Sequence, residues 1–278
     1  MTAGLRRSRA KLRALLLDAG MSLLWKRGLE GGAEHVTFAE VFSLAEQEWG
    51  SPINPASVYR RIWATQADFQ RDVLLKAAAS YPDGEEVPTR EAARGVLGSA
   101  DLSTALARAA ALSEVCRVAS EAHISALEAS RPWQIWVGIW ALTVSTPSTE
   151  DDEAVGPAIQ LGHEKATSAL QVFLEELLDQ VGYRVAAPFS SEQLALSIGA
   201  LAEGLALRDR FASQRVLRVD RPKPVRVGAN NPTPVAVATD PGDAGGWEPG
   251  ESGSTSWTLF GVAVEGLVKQ FCEPIPEA

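Results

Sequence analysis

The sequence has few cysteines and no long apolar run. Its two cysteines, Cys116 and Cys272, lie far apart in a chain of 278 residues, which excludes a disulfide framework and is typical of a reducing compartment. No apolar run reaches the ~18 residues that a membrane-spanning helix needs, and the N-terminus lacks an apolar signal segment. We therefore expect a cytoplasmic protein that does not enter a membrane.

The common catalytic and cofactor motifs are also missing from the sequence. The chain contains no glycine-rich phosphate loop, no Gly-x-Ser-x-Gly elbow and no Cys-x-x-Cys pair. Its histidines, His35, His123 and His163, are isolated, and none has a second ligand at zinc spacing. These absences favour a protein that is not an enzyme and that carries neither a cofactor nor a metal ion.

Positive charge is scarce in the chain as a whole but is concentrated at its start. The formal net charge is −9, from 26 Lys and Arg and 35 Asp and Glu. Residues 1–61 hold nine of the basic and six of the acidic residues, a net charge of +3, so the remainder carries −12. A basic end on an acidic body indicates a polyanionic partner for that end, and the alternative is a solvated arm without a function.

Short helices are predicted in this basic region. Leucines at helical spacing predict a first amphipathic helix that ends near Gly28. Thr37, followed by Glu40 three residues later and flanked by two valines, predicts a second helix with a capping box and a hydrophobic staple. Asn54 and Pro55 predict the start of a third helix, because proline is tolerated at the first helical position. The segment TQAD, Thr65 to Asp68, predicts a further cap that starts a fourth helix.

The outer face of this third helix, in the segment NPASVYRRIW (54–63), is polar and basic. At 100° per residue, Val58 and Ile62 face inward and Tyr59 lies on the flank. The outward positions are Ala56, Ser57, Arg60 and Arg61. Two short helices joined by a small turn, the second with a basic face, are typical of a helix-turn-helix, in which arginine contacts phosphate or guanine. The alternative is an ordinary helical hairpin with a solvated face.

The run TFAEVFSLAEQEWGSPINPASVYRRIWATQADFQRDVLL, residues 37–75, resembles the N-terminal domain of TetR-family transcriptional regulators. The shared pattern is a capping threonine, an amphipathic second helix, a short recognition helix ending in a tyrosine motif, and a fourth helix leading away. The chain differs from it at Gln66, where a phosphate-binding lysine is common. The resemblance implies that Thr37 and Tyr59 contact phosphates and that residues 54–60 enter the major groove. The predicted DNA-binding residues are Thr37, Asn54, Ala56, Ser57, Tyr59, Arg60 and Arg61.

The rest of the chain predicts a second helical domain. Helices are predicted over 161–182, 190–210 and 257–271, and the last two combine small residues with leucine and valine, as dimer interfaces do. Residues 220–256 contain six prolines and six glycines, a composition typical of a disordered linker.

The predicted fold class is therefore all-α. A helix-turn-helix domain of three helices, with residues 1–80, is followed by a helical-bundle domain for effector binding and dimerisation, with residues 81–278.

Three tryptophans are predicted to lie on one face of a single helix. Trp133, Trp136 and Trp140 are spaced at i, i+3 and i+7 in the segment RPWQIWVGIW. The resemblance implies an apolar effector held between helices of the second domain, and aromatic walls suit flat ligands. The candidate ligand-binding residues are His123, Trp133, Trp136, Trp140 and Phe173. The alternative is that the tryptophans are ordinary core residues.

Two classes of function follow from these patterns. The first is a ligand-responsive DNA-binding repressor that binds a palindromic operator in double-stranded DNA as a homodimer and is released by a small apolar or aromatic effector. The second is an α-helical small-molecule-binding protein or enzyme whose helix-turn-helix does not bind DNA. Strongly salt-dependent binding to a duplex would distinguish the first class from the second.

Overall fold

A computed structural model describes residues 8–29, 33–50, 53–81, 86–145, 154–209, 218–222 and 254–276. The helices in these ranges are α1 Arg9–Arg27, α2 Phe38–Trp49, α3 Pro55–Arg61, α4 Gln66–Ala79, α5 Glu86–Ser99, α6 Ala105–Ala129, α7 Arg131–Ser145, α8 Val155–Gln180, α9 Ser191–Asp209 and α10 Leu259–Phe271. Two short antiparallel strand pairs accompany them: β1 Tyr183–Val185 with β4 Cys272–Pro274, and β2 Arg218–Pro222 with β3 Ser254–Thr258. The predicted all-α fold class is confirmed. Among the described helices, none combines the length and the apolar character that crossing a membrane requires.

The caps predicted for the N-terminal helices are present. Thr37 caps α2 by accepting the backbone N–H of Glu40, and Asn54 caps α3 by accepting the N–H two residues further on at 3.0 Å. Thr65 and Asp68 form a reciprocal capping box that starts α4. These local hydrogen bonds satisfy backbone donors that the helix itself leaves free, which is why the elements begin where the sequence predicts.

A cluster of aromatic rings joins α2, α3 and α4. The ring of Phe38, the first residue of α2, lies 4.9 Å from the ring of Tyr59 and 4.8 Å from that of Phe69, measured between centroids. Trp63, just after α3, packs edge-on against Phe69 at 4.8 Å. The short helix α3 is therefore fixed by ring packing as well as by its caps.

The linker and the last helix differ from the sequence prediction at their boundaries. Residues 220–222 and 254–256, predicted as parts of a disordered linker, belong to the β2–β3 pair. Residues 223–253 lie outside the described residues. The last helix begins at Leu259 rather than at Trp257, because Thr258 caps it by accepting the N–H of Gly261 at 3.0 Å.

The last helix, α10, packs onto the bundle along one face. It packs against α6 and α9 through a buried face that consists of Phe260, Gly261, Val264, Glu265 and Val268. This helix was predicted to form part of a dimer interface, but its apolar face is covered by the chain's own helices.

Helix α4 is shared by the two predicted domains. It packs against α1 on one side and against α7 and α8 on the other, so one hydrophobic core continues from the N-terminal helices into the bundle. The approach to α8 is very close at Gly162, where an added Cβ would lie 2.8 Å from the backbone oxygen of Ala78. Helix α8 therefore lies directly against the backbone at the C-terminal end of α4.

Candidate nucleic-acid interface and ligand groove

Helix α3 presents the polar face that its sequence predicts. Val58 is fully buried in the core, whereas Arg60 and Arg61 are exposed and the side chain of Tyr59 is 44% exposed. Ala56 is exposed as well, so its small side chain leaves the backbone open to close approach. The structure thus places the predicted recognition residues on one accessible surface.

The arginines of α3 differ from several other basic residues of the N-terminal helices in having no acidic partner. Arg13 pairs with Asp72 at 2.6 Å, and Lys76 pairs with an acidic residue of α1. Within the described ranges, neither Arg60 nor Arg61 forms an ion pair. Their charges are therefore available to a polyanion without the loss of an internal contact.

Thr37 and Ser57 are engaged in hydrogen bonds within the chain. The Thr37 hydroxyl donates to Glu40 at 3.0 Å, and Arg27 donates to the other oxygen of that carboxylate at 2.5 Å. These two bonds, the Arg27 bond first, lower the pKa of Glu40. The Ser57 hydroxyl donates to the Asn54 backbone oxygen at 2.7 Å. A phosphate contact by either hydroxyl must therefore replace or share an existing bond.

Gln66, which differs from the lysine common in TetR-like sequences, has a structural partner. Its side-chain oxygen accepts the backbone N–H of Phe38 at 3.3 Å, so it caps the first turn of α2. This contact joins the start of α4 to the start of α2, the edge that also carries Thr37.

The three tryptophans of α7 have different environments. Trp133 and Trp136 are buried in the core, with 1% and 0% of their surface exposed. The indole N–H of Trp136 donates to the Ala78 backbone oxygen at 3.0 Å, whereas that of Trp133 has no hydrogen-bond partner among the described residues. Trp140 is half-buried and reaches a cavity. The prediction that the whole stripe faces a ligand therefore fits the position of Trp140 alone.

That cavity is a groove of about 470 Å³ between α7, α8 and α9. Its lining includes Trp140, Ile159, His163, Glu164, Glu192 and Leu196, and it is called the Trp140 groove below. The volume lies within the range of about 300–1,000 Å³ that is usual for small-molecule sites.

One of the lining residues of the Trp140 groove, His163, lies close to a buried carboxylate. The ring of His163 lies edge-on to Trp136 at 4.6 Å and to Trp140 at 5.6 Å. Its Nδ1 is 3.9 Å from a carboxylate oxygen of Glu203, a buried residue of α9. Burial lowers the pKa of His163 and raises the pKa of Glu203 to about 7. The amino-acid pattern gave no reason to bring these residues together, since they lie 40 positions apart on two different helices.

His123 and Phe173 line a different cavity, deeper in the bundle. This inner cavity has a volume of about 50 Å³ and is lined mostly by apolar side chains of α6, α8, α9 and α10. His123 Nδ1 lies 3.2 Å from the Thr89 hydroxyl, and burial lowers the pKa of His123 to about 4. The inner cavity holds little more than a water molecule. The five predicted ligand-binding residues are thus divided among this cavity, the core and the Trp140 groove.

The two cysteines face a third cavity, of about 150 Å³. Burial raises the pKa of Cys116 to about 12 and that of Cys272 to about 11, so both thiols are protonated at neutral pH and are poor nucleophiles. In the part of the chain that the structure describes, no three His, Cys, Asp or Glu side chains are grouped as a metal site requires.

Comparisons with known proteins do not identify a family. No protein-family model and no curated protein matches the chain. One solved structure that is similar to part of it is named "the putative transcriptional regulator from Pseudomonas aeruginosa PAO1". The two sequences are 20% identical, the match covers 73% of this chain and 81% of that chain, and the TM-score is 0.35.

Proposed function

We propose that the protein is a DNA-binding transcriptional regulator whose binding to DNA is controlled by a small molecule. The observation that carries this proposal is the outer face of α3, where Arg60 and Arg61 are exposed beside Tyr59 and form no ion pair with any residue that the structure describes. The opposite side of the same helix is anchored in the core by Val58. A rigid, short helix with free guanidinium groups is suited to the major groove of a duplex.

Contacts to the phosphate backbone would come from the surroundings of α3. Tyr59 is held by its ring contact with Phe38 and is 44% exposed, so it is accessible to a phosphate group. The N-terminus of α2 at Thr37 adjoins the same ring cluster, and backbone N–H groups at helix N-termini bind phosphate well. The TetR-like set of DNA-binding residues is compatible with this placement.

The control by a ligand would pass through α4. Trp136, which contacts both Trp140 and His163 of the Trp140 groove, is bonded to the Ala78 backbone oxygen at the end of α4. The other end of α4 supports the recognition helix through the packing of Phe69 on Phe38. A ligand that displaces α7 or α8 would therefore tilt α4 and move α3, which would release a repressor from its operator.

A homodimer would present two copies of α3 to a palindromic operator. On α9 the residues Ala200 and Gly204 are exposed about one turn apart, and on the neighbouring α8 Val172 is 49% exposed. Small and branched apolar residues on two adjacent helices suit a four-helix interface between two chains. We place the dimer contact on α8 and α9, because the apolar face of α10 is already covered.

The test is the selection of bound duplexes from a random pool by the full-length chain, followed by affinity measurements at several salt concentrations. The proposal predicts enrichment of a palindromic sequence and a steep loss of affinity with added salt, since phosphate contacts release counterions. If no duplex is enriched and ligands still bind, the Trp140 groove supports the second candidate, a small-molecule-binding protein without a DNA target.

A further inference from the structure

The lining of the Trp140 groove combines an aromatic surface with negative charge. Glu164 and Glu192 contribute carboxylates from α8 and α9, and the described residues that line the groove include no lysine or arginine. The chain beyond residue 61 also carries an excess of acidic residues. The groove therefore attracts positive ligands and repels negative ones.

The positive side chain that neighbours Glu164 in the sequence is directed elsewhere. Lys165 follows Glu164 on α8, but its ammonium group donates to the Ala79 backbone oxygen at 3.4 Å and is not part of the lining. His163 does line the groove, and burial lowers the pKa of its imidazole, so it is neutral at neutral pH. Gln160 donates to one oxygen of Glu164 at 2.8 Å, which orients that carboxylate without neutralising it.

Glu203 adds a further carboxylate behind His163. It is buried, and one of its oxygens lies 3.9 Å from the imidazole Nδ1. A cation bound in the groove favours the ionised form of this carboxyl group, because opposite charges stabilise each other most where water is excluded.

Trp140 supplies a surface of fixed orientation for a flat ring. Its own ring lies 5.6 Å from that of His163 at 83° and 6.3 Å from that of Trp136 at 35°. Tryptophan is the side chain that binds cations most strongly through its ring face.

We propose that the Trp140 groove binds a flat aromatic organic cation. Its ring system stacks on Trp140, and its positive charge is held by Glu164 and Glu192. The inference rests on the proposed function in that this cation would be the effector, but the binding step itself requires no DNA.

The experiment uses equilibrium dialysis to measure the dissociation constants of three probes for the full-length chain in the absence of DNA. The three probes have the same ring size and differ in charge. The probes are 10-methylacridinium as the cation, 9-anthracenemethanol as the neutral compound and anthracene-9-carboxylate as the anion. We expect the cation to bind at least tenfold more tightly than the anion, with the neutral compound between them. Equal affinities for the cation and the anion would overturn the proposal.

Variants separate binding in the groove from general attraction to an acidic protein. Glu164→Gln combined with Glu192→Gln should weaken cation binding about tenfold, since each charge contributes modestly at an accessible site. Glu91→Gln, at an exposed position on α5, removes one charge outside the groove and should leave binding unchanged. Trp140→Leu should weaken all three probes. Cation binding that survives the double substitution, or that falls equally with Glu91→Gln, contradicts the assignment.

The two proposals can fail separately. Cation binding with no duplex binding would leave the groove assignment intact and reject the regulator. Duplex binding without any preference for the cation would support the regulator and reject the groove assignment.

Discussion

The indole N–H of Trp136 donates a hydrogen bond of 3.0 Å to the backbone oxygen of Ala78, near the C-terminal end of α4. Both atoms are buried, and Gly162 of α8 closes over the same oxygen. One buried carbonyl group thus joins α4, α7 and α8. Since α4 also reaches α3 through the ring contacts of Phe69 with Phe38 and of Phe38 with Tyr59, this contact is where the proposed function would couple the Trp140 groove to the proposed DNA-binding face.

Replacing Trp136 with phenylalanine removes this hydrogen bond and keeps an aromatic ring. We expect the free energy of unfolding to fall by about 1–3 kcal/mol, because the Ala78 oxygen is left buried without its partner. Urea denaturation measures the loss, and operator release by the ligand should need a higher ligand concentration. Trp140→Phe is the matched control, since the Trp140 indole forms no such bond within the described residues and its replacement should cost less stability. Equal losses for the two variants would contradict the special role of Trp136.

Substitution of the α3 arginines tests the DNA-binding face. Arg60→Ala should weaken operator binding by about 1–3 kcal/mol if the side chain contacts a base, or should lower the salt slope by about one if it contacts a phosphate. The melting temperature should hardly change, because the side chain is exposed and unpaired. Arg94→Ala, at an exposed position on α5, removes the same charge far from α3 and should leave affinity unaltered. Wild-type affinity in a variant that lacks both Arg60 and Arg61 would reject the recognition helix.

Glu203 predicts a pH dependence of stability. Its pKa is about 7 in the folded chain, against an ordinary value of 4.5, so the folded state binds the proton more tightly than the unfolded state does. The contribution of Glu203 to the free energy of unfolding is therefore largest below pH 4.5, and it is lost as the pH rises through 7. Glutamine does not ionise, so the Glu203→Gln variant does not lose this stability. The free energy of unfolding of the variant minus that of the wild type should therefore increase by up to about 3 kcal/mol from pH 5 to pH 8.

Comparing the two proteins at each pH isolates this carboxyl group from other titrating residues. His163 acts in the opposite direction, because its lowered pKa makes the folded state lose stability as the pH falls below 6.5. Stability curves for Glu203→Gln and wild type that stay parallel from pH 5 to pH 8 would show that Glu203 is ionised as readily as in water.

Charges placed on the α8–α9 surface should prevent dimer formation. Val172→Glu combined with Ala200→Glu puts like charges opposite each other across a twofold contact, so we expect a folded monomer with much lower operator affinity. Sedimentation gives the mass, and circular dichroism gives the helix content. Leu106→Glu, at a position that is 73% exposed on α6, is the control and should remain a dimer. A wild-type mass for the double variant would place the interface elsewhere.

The beginning of the fold was predictable because it depends on local signals. Caps such as Asn54 and Thr65 act within three residues, so reading the chain in order locates α3 and α4. Helices α5 and α6 were not predicted individually, since an alanine-rich stretch such as ALARAAALSEVC lacks a clear apolar stripe. The strand pairing of β2 with β3 joins segments more than 30 residues apart, which no local pattern indicates.

The candidate ligand site was only partly predictable, because helix periodicity states which residues share a face but not what covers that face. Trp133, Trp136 and Trp140 share a face of α7, yet α4 covers Trp136 and leaves Trp140 accessible. Glu192 and Glu203 enter the site from α9, whose position depends on packing over the whole bundle. The exposed residues of α3, by contrast, were predictable from the helix period alone, because their exposure does not depend on the packing of distant helices.

The close approach at Gly162 has a practical consequence for engineering. Helix α8 meets α4 through a backbone carbonyl group and a residue without a side chain, while its other faces carry the side chains of the Trp140 groove. Under the proposed function, ligand preference and signal transmission would therefore depend on different atoms of one helix. Groove residues such as Gln160 and Glu164 could then be exchanged to bind new ligands without changing the contact at Gly162, and the regulator would serve as a scaffold for biosensors that report different ligands through the same DNA-binding response.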